Sequence, residues 1–311
     1  MKNDPIESAL ARLDDIPVHT PEGKASFAKA LAAKSNLVVA KAARILGGAQ
    51  CLDLTREMVS AFDRMIAKGA TTDKACAATI AISRALVQLD YDSPDLFLTG
   101  MRHVQMEGSF GPPVDAAVEL RAVSAMGLAN STYPHKLRET VLLLADREWQ
   151  ARVGAIRAMA VVGGDSASLL LRFKMLTGDK EPEVMAECFS AILVLEGSEG
   201  VPLVANFAES AEGEVREAAI LAMGASRRAD AVAWLIEAFG RTVSIPWKKC
   251  MLLSLSTSRV EAAVAFLLGL VREGSSSTSA LAVDALSIHA RDERLASEVA
   301  AAVRSRDGGG A

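Results

Sequence analysis

An all-α fold, a right-handed α-solenoid of about eight helical hairpins, is predicted by three observations. One short run of residues recurs at a nearly fixed period. Apolar residues recur at three- and four-residue steps, and no segment alternates in twos. Small residues fill the same columns in successive copies. The clearest copy is Glu214-Val215-Arg216-Glu217-Ala218-Ala219-Ile220-Leu221-Ala222-Met223-Gly224. Aligning the others on the small residue at Ala222 sets Val215 in register with Val38, Ala78, Val118, Ala151, Val184, Trp247 and Thr278. The successive separations are 40, 40, 33, 33, 31, 32 and 31 residues. A period of this size marks stacked supersecondary units, none of which buries its apolar face alone.

The composition agrees. Half of the residues are apolar and only 5% are aromatic, which suits helices packed through small side chains better than aromatic-rich strands. The formal charge of −4 gives no global pull toward nucleic acid or an anionic membrane. Cys51, Cys76, Cys188 and Cys250 are scattered with no close pair. Cys188 and Cys250, on or beside the small-residue column, read as small buried hydrophobes. With no CxxC, no apolar leader and no apolar run near 18 residues, the expected compartment is reducing and cytoplasmic, with no membrane partner.

In chain order, residues 4–14 read as a short helix with Pro5 at its first position, and 15–23 as a connector. The solenoid is expected to span 24–305. Repeated helices fall at about 37–47, 74–88, 114–128, 148–162, 182–195, 213–224, 246–256 and 277–288. Partner helices fall at about 53–68, 93–107, 134–145, 166–177, 199–209, 228–240 and 258–272, with a closing helix near 291–305. Gly47-Gly48, Gly163-Gly164 and Gly224 read as helix ends, where glycine takes a left-handed residue cheaply. Residues 108–113 (Gly-Ser-Phe-Gly-Pro-Pro) read as a joint between two sub-arrays, and 306–311 as a disordered tail.

The Val-Arg pair, the two alanines after it and the Ala-Met-Gly end resemble the HEAT repeat. So does the acid-bearing turn Asp179-Lys180-Glu181-Pro182-Glu183-Val184. The units are similar to the short bacterial HEAT-like repeats also found in phycobilin lyases, and the resemblance runs from about residue 24 to 305. It implies that the repeated helix is the second of each pair and lines a concave side. It also implies that its arginine bonds across repeats to the turn acid. That arginine matches Arg152 and Arg216, with Lys248 as a substitute, while Glu119, Met185 and Ser279 depart from it. An interrupted Arg–Asp ladder is therefore expected.

No motif nominates chemistry. His103 with Glu107, and His135 with Glu139, read as two ligands four apart on a helix, too few for a metal site, and as solvated polar groups. There is no Gly-rich phosphate loop and no GxSxG. No catalytic residue, metal or cofactor is expected, and the chain is expected not to be an enzyme.

One pattern stands out. Counting from Val215 as position zero, Arg44, Arg84 and Arg157 share position +6, while Lys41 and Arg121 share +3, on the same helix face. Arg152 adds charge in the fourth repeat. In later repeats +6 becomes Ser190, Leu221, Leu253 and Asp284. These six basic residues form a candidate groove for an acidic protein or peptide; the plainer alternative is a solvated face with scattered salt bridges. Trp149 and Trp247, in the first turn of repeated helices, are candidate interface anchors or packing between repeats, and Trp234 reads as core. The expected function is a non-catalytic protein-interaction scaffold. The resemblance also implies two alternatives: nucleic-acid binding, as in HEAT-like alkylpurine DNA glycosylases, which the net acidity opposes, and a bilin lyase or chaperone-like factor, which no Cys or His cluster supports.

Overall fold

The computed structural model describes residues 5–108 and 111–308. It is helical almost throughout, with eighteen α-helices among the described residues. In order they are α1 (Pro5–Asp14), α2 (Pro21–Leu31), α3 (Asn36–Gly48), α4 (Thr55–Lys68), α5 (Ala77–Gln88), α6 (Pro94–Arg102), α7 (Val118–Asn130), α8 (Lys136–Leu143), α9 (Trp149–Val162), α10 (Gly164–Thr177), α11 (Pro182–Leu195), α12 (Val201–Ser210), α13 (Gly213–Ala225), α14 (Ala229–Arg241), α15 (Ile245–Ser258), α16 (Glu261–Glu273), α17 (Ser276–Leu286) and α18 (Glu293–Gly308). The chain divides into two compact units, Met1–Leu170 and Leu171–Ala311.

Within each unit the repeated helices pack on one another and their partners form a second row. In the first unit α3 packs on α5, α5 on α7 and α7 on α9, while α2 meets α4 and α4 meets α6. In the second, α11, α13, α15 and α17 follow in sequence beside α12, α14, α16 and α18. Repeated helices inside a row, such as α5, α7, α13 and α15, are buried on more than one side because they touch row neighbours on both sides. The core lies between the rows and is built from Ala, Leu, Ile and Met, with Phe27, Phe62, Phe97 and Phe189 as its largest members.

Small residues set the spacing of the repeated row. Ala219 and Ala222 are buried in α13. Gly47 and Gly224 lie in the last turns of α3 and α13, as expected, but neither takes a positive φ. A Cβ on Gly47 would come within 2.9 Å of the Ala85 Cα, and one on Gly224 would collide with Ser254 of α15. Their role is close approach rather than chain reversal. Gly163 and Gly164, by contrast, have φ of 71° and 77° and do reverse the chain after α9. Ala222→Leu is expected to overpack the α13 contacts and cost about 1–3 kcal/mol; an unchanged melting temperature would show that Ala222 does not sit at a tight contact.

Several expected boundaries move. The connector is shorter, since α2 begins at Pro21, where the Thr20 side chain accepts the Gly23 amide at 3.1 Å. The helix expected over 93–107 stops at Arg102. The chain then forms β1 (Met106–Glu107), antiparallel to β2 (Val114–Asp115), so the expectation of a chain without β-pairing is corrected. The helix expected from 114 begins at Val118. The expected tail is helical as far as Gly308, and the Arg306 guanidinium donates to the Gly274 carbonyl at 2.6 Å. Residues 309–311 lie outside the described residues. All four cysteines are buried and unpaired. Burial pushes the Cys188 and Cys250 thiols up to about 12, and burial with the nearby Asp73 charge does the same to Cys76.

Candidate functional site

The burial pattern fixes the repeat register, and it corrects the third copy. In α3, α5, α9 and α11, with zero at Val38, Ala78, Ala151 and Val184, positions 0, +1, +4 and +5 are buried. In α7 zero at Val118 breaks the pattern, since neither Val118 nor Glu119 is buried, and zero at Leu120 restores it: Leu120, Arg121, Ser124 and Ala125 are buried. The copy that looks best by eye, Ala125-Met126-Gly127 against Ala222-Met223-Gly224, is two residues out. Gly127 confirms the shift. A Cβ there would strike the Phe97 ring of the partner helix α6, whereas Gly47 and Gly224 face the next repeated helix. The separations become 40, 42, 31, 33, 31, 32 and 31 residues, so all the excess length lies before α7.

The corrected register aligns a column of turn acids five residues before zero: Asp73, Asp115, Asp146 and Asp179. Three accept the backbone amide two residues on: Asp115 from Ala117 at 2.9 Å, Asp146 from Glu148 at 2.9 Å and Asp179 from Glu181 at 3.0 Å. Arg121 now stands at +1, in the arginine column, not at the basic +3 position. It is 4% exposed and joins two of these acids. Its Nε and Nη2 donate to Asp146 at 2.9 and 3.1 Å, and its Nη1 to Asp115 at 2.6 Å and to the His103 carbonyl at 3.0 Å. Burial alone would raise the Asp115 carboxyl; the Ala117 and Gln105 amides and Arg121 outweigh it and hold the carboxyl below its usual range.

Arg121 is therefore a structural tie, and its assignment to a partner groove is corrected. Arg152 is corrected for the same reason: it is 5% exposed, and its Nη1 donates to the Asp146 and Arg147 carbonyls at 2.9 and 3.0 Å. Lys41 is half-buried and held by Asp14 at 2.6 Å. The +6 column is different. Arg44, Arg84 and Arg157 are all exposed.

Two of these meet a tryptophan. A groove of about 660 Å³ runs between α7 and α9, lined by Val118, Glu119, Ala122, Val123 and Met126 on one side and Trp149, Gln150, Val153, Gly154 and Arg157 on the other. These are the same five positions, −2, −1, +2, +3 and +6, of two consecutive repeats. Arg84, at +6 of the preceding repeat, closes one end and pairs with Glu119. Gly154 makes the floor, where an added Cβ would sit 2.6 Å from the Ala122 Cα. Two guanidinium groups thus stand over an apolar floor beside a half-buried indole, with one carboxylate at the rim. In the second unit the same positions of α11 and α13 line a groove with Glu183, Glu214 and Glu217 and no cation.

The other nominated residues separate. Trp247 is half-buried under the Arg216 guanidinium, 4.7 Å from the ring centre. Trp234, expected as core, is half-buried and lines the same pocket as Trp247. His103 ends α6 in extended backbone, so it shares no helix with Glu107 of β1. His135 precedes α8, and Glu139 pairs with Arg102 at 2.7 Å. Among the described residues no group of three or more His, Cys, Asp or Glu could hold a metal ion. No helix there is long and apolar enough to cross a membrane.

No protein-family model matches this chain, and no curated protein matches its sequence. Among solved structures the chain is similar to human deoxyhypusine hydroxylase in complex with glycerol. The likeness has a TM-score of 0.31 and 17% identity, over 82% of this chain and 91% of that one. That neighbour is an enzyme, and the expectation that this chain is not an enzyme is withdrawn on that finding. At this TM-score the likeness transfers neither activity nor residue roles.

Proposed function

We propose that each two-row unit is a stretch of right-handed, HEAT-like α-solenoid whose repeated helices face a concave surface, and that the α7–α9 groove of the first unit holds an acidic segment of another protein. The observation that carries this reading is the meeting of Arg84 and Arg157, at the same position of α5 and α9, with Trp149 at an apolar groove. Arginine and tryptophan are frequent anchors of protein interfaces, and an arginine fork matches a carboxylate in shape as well as charge. An aspartate- or glutamate-bearing segment would exchange the exposed Glu119 for its own carboxylate at Arg84, a small loss because exposed pairs contribute little. Its apolar side chains would lie against Val123, Met126, Val153 and Trp149. Arg44, in the same column of α3, extends the basic strip. Nucleic acid is the weaker reading, because these columns carry glutamate in α11 and α13 and the net charge is negative.

Reversing charge at Arg44, Arg84 and Arg157 together tests the proposal. All three are exposed, so the triple variant is expected to keep its helical dichroism and melting temperature. Wild-type protein coupled to resin should capture a partner from nuclease-treated native lysate and release it as salt rises, since exposed charges are screened over about 8 Å at physiological ionic strength. The triple variant should not capture it. Equal capture by the variant would remove the groove from the interface, and capture that nuclease abolishes would favour nucleic acid.

A further inference from the structure

Arg121 and Arg216 hold the same position, one residue past zero, in the third and sixth repeated helices. Their surroundings differ in one respect. Arg121 lies between two turn acids, Asp115 of its own repeat and Asp146 of the next. The two corresponding positions around Arg216 are Ser210 and Thr242. Arg216 makes no ion pair or hydrogen bond among the described residues, and its Nε is buried with no partner. That same nitrogen of Arg121 donates to Asp146 at 2.9 Å.

The guanidinium is nonetheless held in place. It stacks on the Trp247 ring at 4.7 Å and lines a pocket of about 320 Å³ bounded by Trp234, Trp247, Arg241, Thr242 and Met251. Arg241, the other cation there, is committed to Glu209 and Glu237 at 3.1 and 2.8 Å. The Arg216 Nε is covered by the protein itself, so the Nη nitrogens are the donors left for the pocket, and without a carboxylate they leave charge-assisted hydrogen bonds unmade.

We infer that this pocket binds a carboxylate from outside the chain, received by the Nη nitrogens of Arg216, whose guanidinium has no acid of its own where Arg121 has Asp115 and Asp146. The ligand is a carboxylate borne on a group small enough for the pocket and able to lie against the two indoles. A peptide C-terminus and an aspartate or glutamate side chain both satisfy this. Val243, 89% exposed on the rim, offers an apolar contact to the flanking residues. All of these residues belong to the second unit, so the inference stands apart from the groove between α7 and α9.

The test uses tryptophan emission. In a Trp149→Phe background the two remaining tryptophans, Trp234 and Trp247, both line the pocket. Three peptides serve as probes: acetyl-Ala-Ala-Leu as the free acid, the same peptide as its amide, and acetyl-Ala-Glu-Leu as the amide. Saturable emission changes are expected with one or both carboxylate-bearing peptides and not with the neutral amide; the responding peptide identifies the source as C-terminus or side chain. Arg216→Gln should weaken binding about tenfold or more, the usual effect of losing a hydrogen bond to a charged group. Thr242→Asp places a carboxylate where the third repeat has Asp146. It should abolish binding while leaving Arg216 in place, and should raise the melting temperature. Equal binding of the neutral amide, unchanged affinity in Arg216→Gln or Thr242→Asp, or no response to any peptide would each overturn the assignment. If Arg216→Gln fails to fold, Thr242→Asp decides alone.

Discussion

Arg121→Ala is expected to destabilise the protein by about 3–5 kcal/mol, because it strands two low-exposure carboxylates that lose the cation they share. Asp115 and Asp146 are 8% and 15% exposed at the side chain, and Arg121 satisfies both along with the His103 carbonyl. Removing the arginine also unties β2 from the turn before α9, so the loss should appear as a lower denaturation midpoint of the first unit. Arg121→Lys should fall between the two, since an ammonium cannot fork across two acids. The pH dependence has a definite sign. The Asp115 carboxyl is held below its ordinary value of about 3.9 in the folded state. Its contribution is therefore complete above that value and is lost as pH falls through the lower folded value. The stability gap between wild type and Arg121→Ala should be widest near neutrality and narrow below about pH 4. A pH-independent gap would mean that the arginine stabilises through packing alone.

The same residue shows where the sequence was legible and where it was not. The helical period, the two kinds of helix and the exposed +6 column followed from apolar spacing, because a helix in a two-row array has little choice about which face it buries. Register in the third repeat did not follow. Ala125-Met126-Gly127 copies the best-matched triplet, yet Gly127 is small to admit the Phe97 ring rather than the next repeated helix. A signal was available: the aspartates at 73, 115, 146 and 179 fall five residues before zero only when Leu120 is zero. Turn acids constrain register more sharply than small residues, since a carboxylate must meet particular amides while several contacts accept an alanine. The strands at 106–107 and 114–115 left no trace because two residues are too few to show alternation. The arginines were nominated by charge and by a shared helical column, and in the misread register of α7 that column does not distinguish an outward-facing Arg84 from an Arg121 that is 4% exposed. The tryptophan pocket in the second unit escaped notice because its informative feature is two missing acids, Ser210 and Thr242 standing where aspartates occur elsewhere.

Asp73→Ala should cost about 2–4 kcal/mol, combining the loss of a helix cap with buried donors left unmet. Asp73 is 1% exposed. Its carboxylate accepts the Ala78 and Thr79 amides at 2.8 and 2.9 Å and the Thr79 hydroxyl at 2.8 Å, so it caps α5 from five residues upstream. The reach is possible because Ala75 and Cys76 are left-handed, with φ of 58° and 49°, which folds the chain back over the helix end. Asp73 also accepts the Asn36 amide of α3 at 3.3 Å, so one side chain fixes both the start of α5 and its place against α3. Asp73→Asn keeps one acceptor oxygen but turns an amide group toward backbone donors, and should lie between wild type and alanine. Amide hydrogen exchange separates this account from a general loss of stability. Residues 78–81 should lose protection first, and Arg84, one turn further along α5, should then lose its fixed place over the groove. Wild-type protection of those amides in Asp73→Ala would mean that the turn acid does not hold α5, and that the aspartate column aligns the repeats without supporting them.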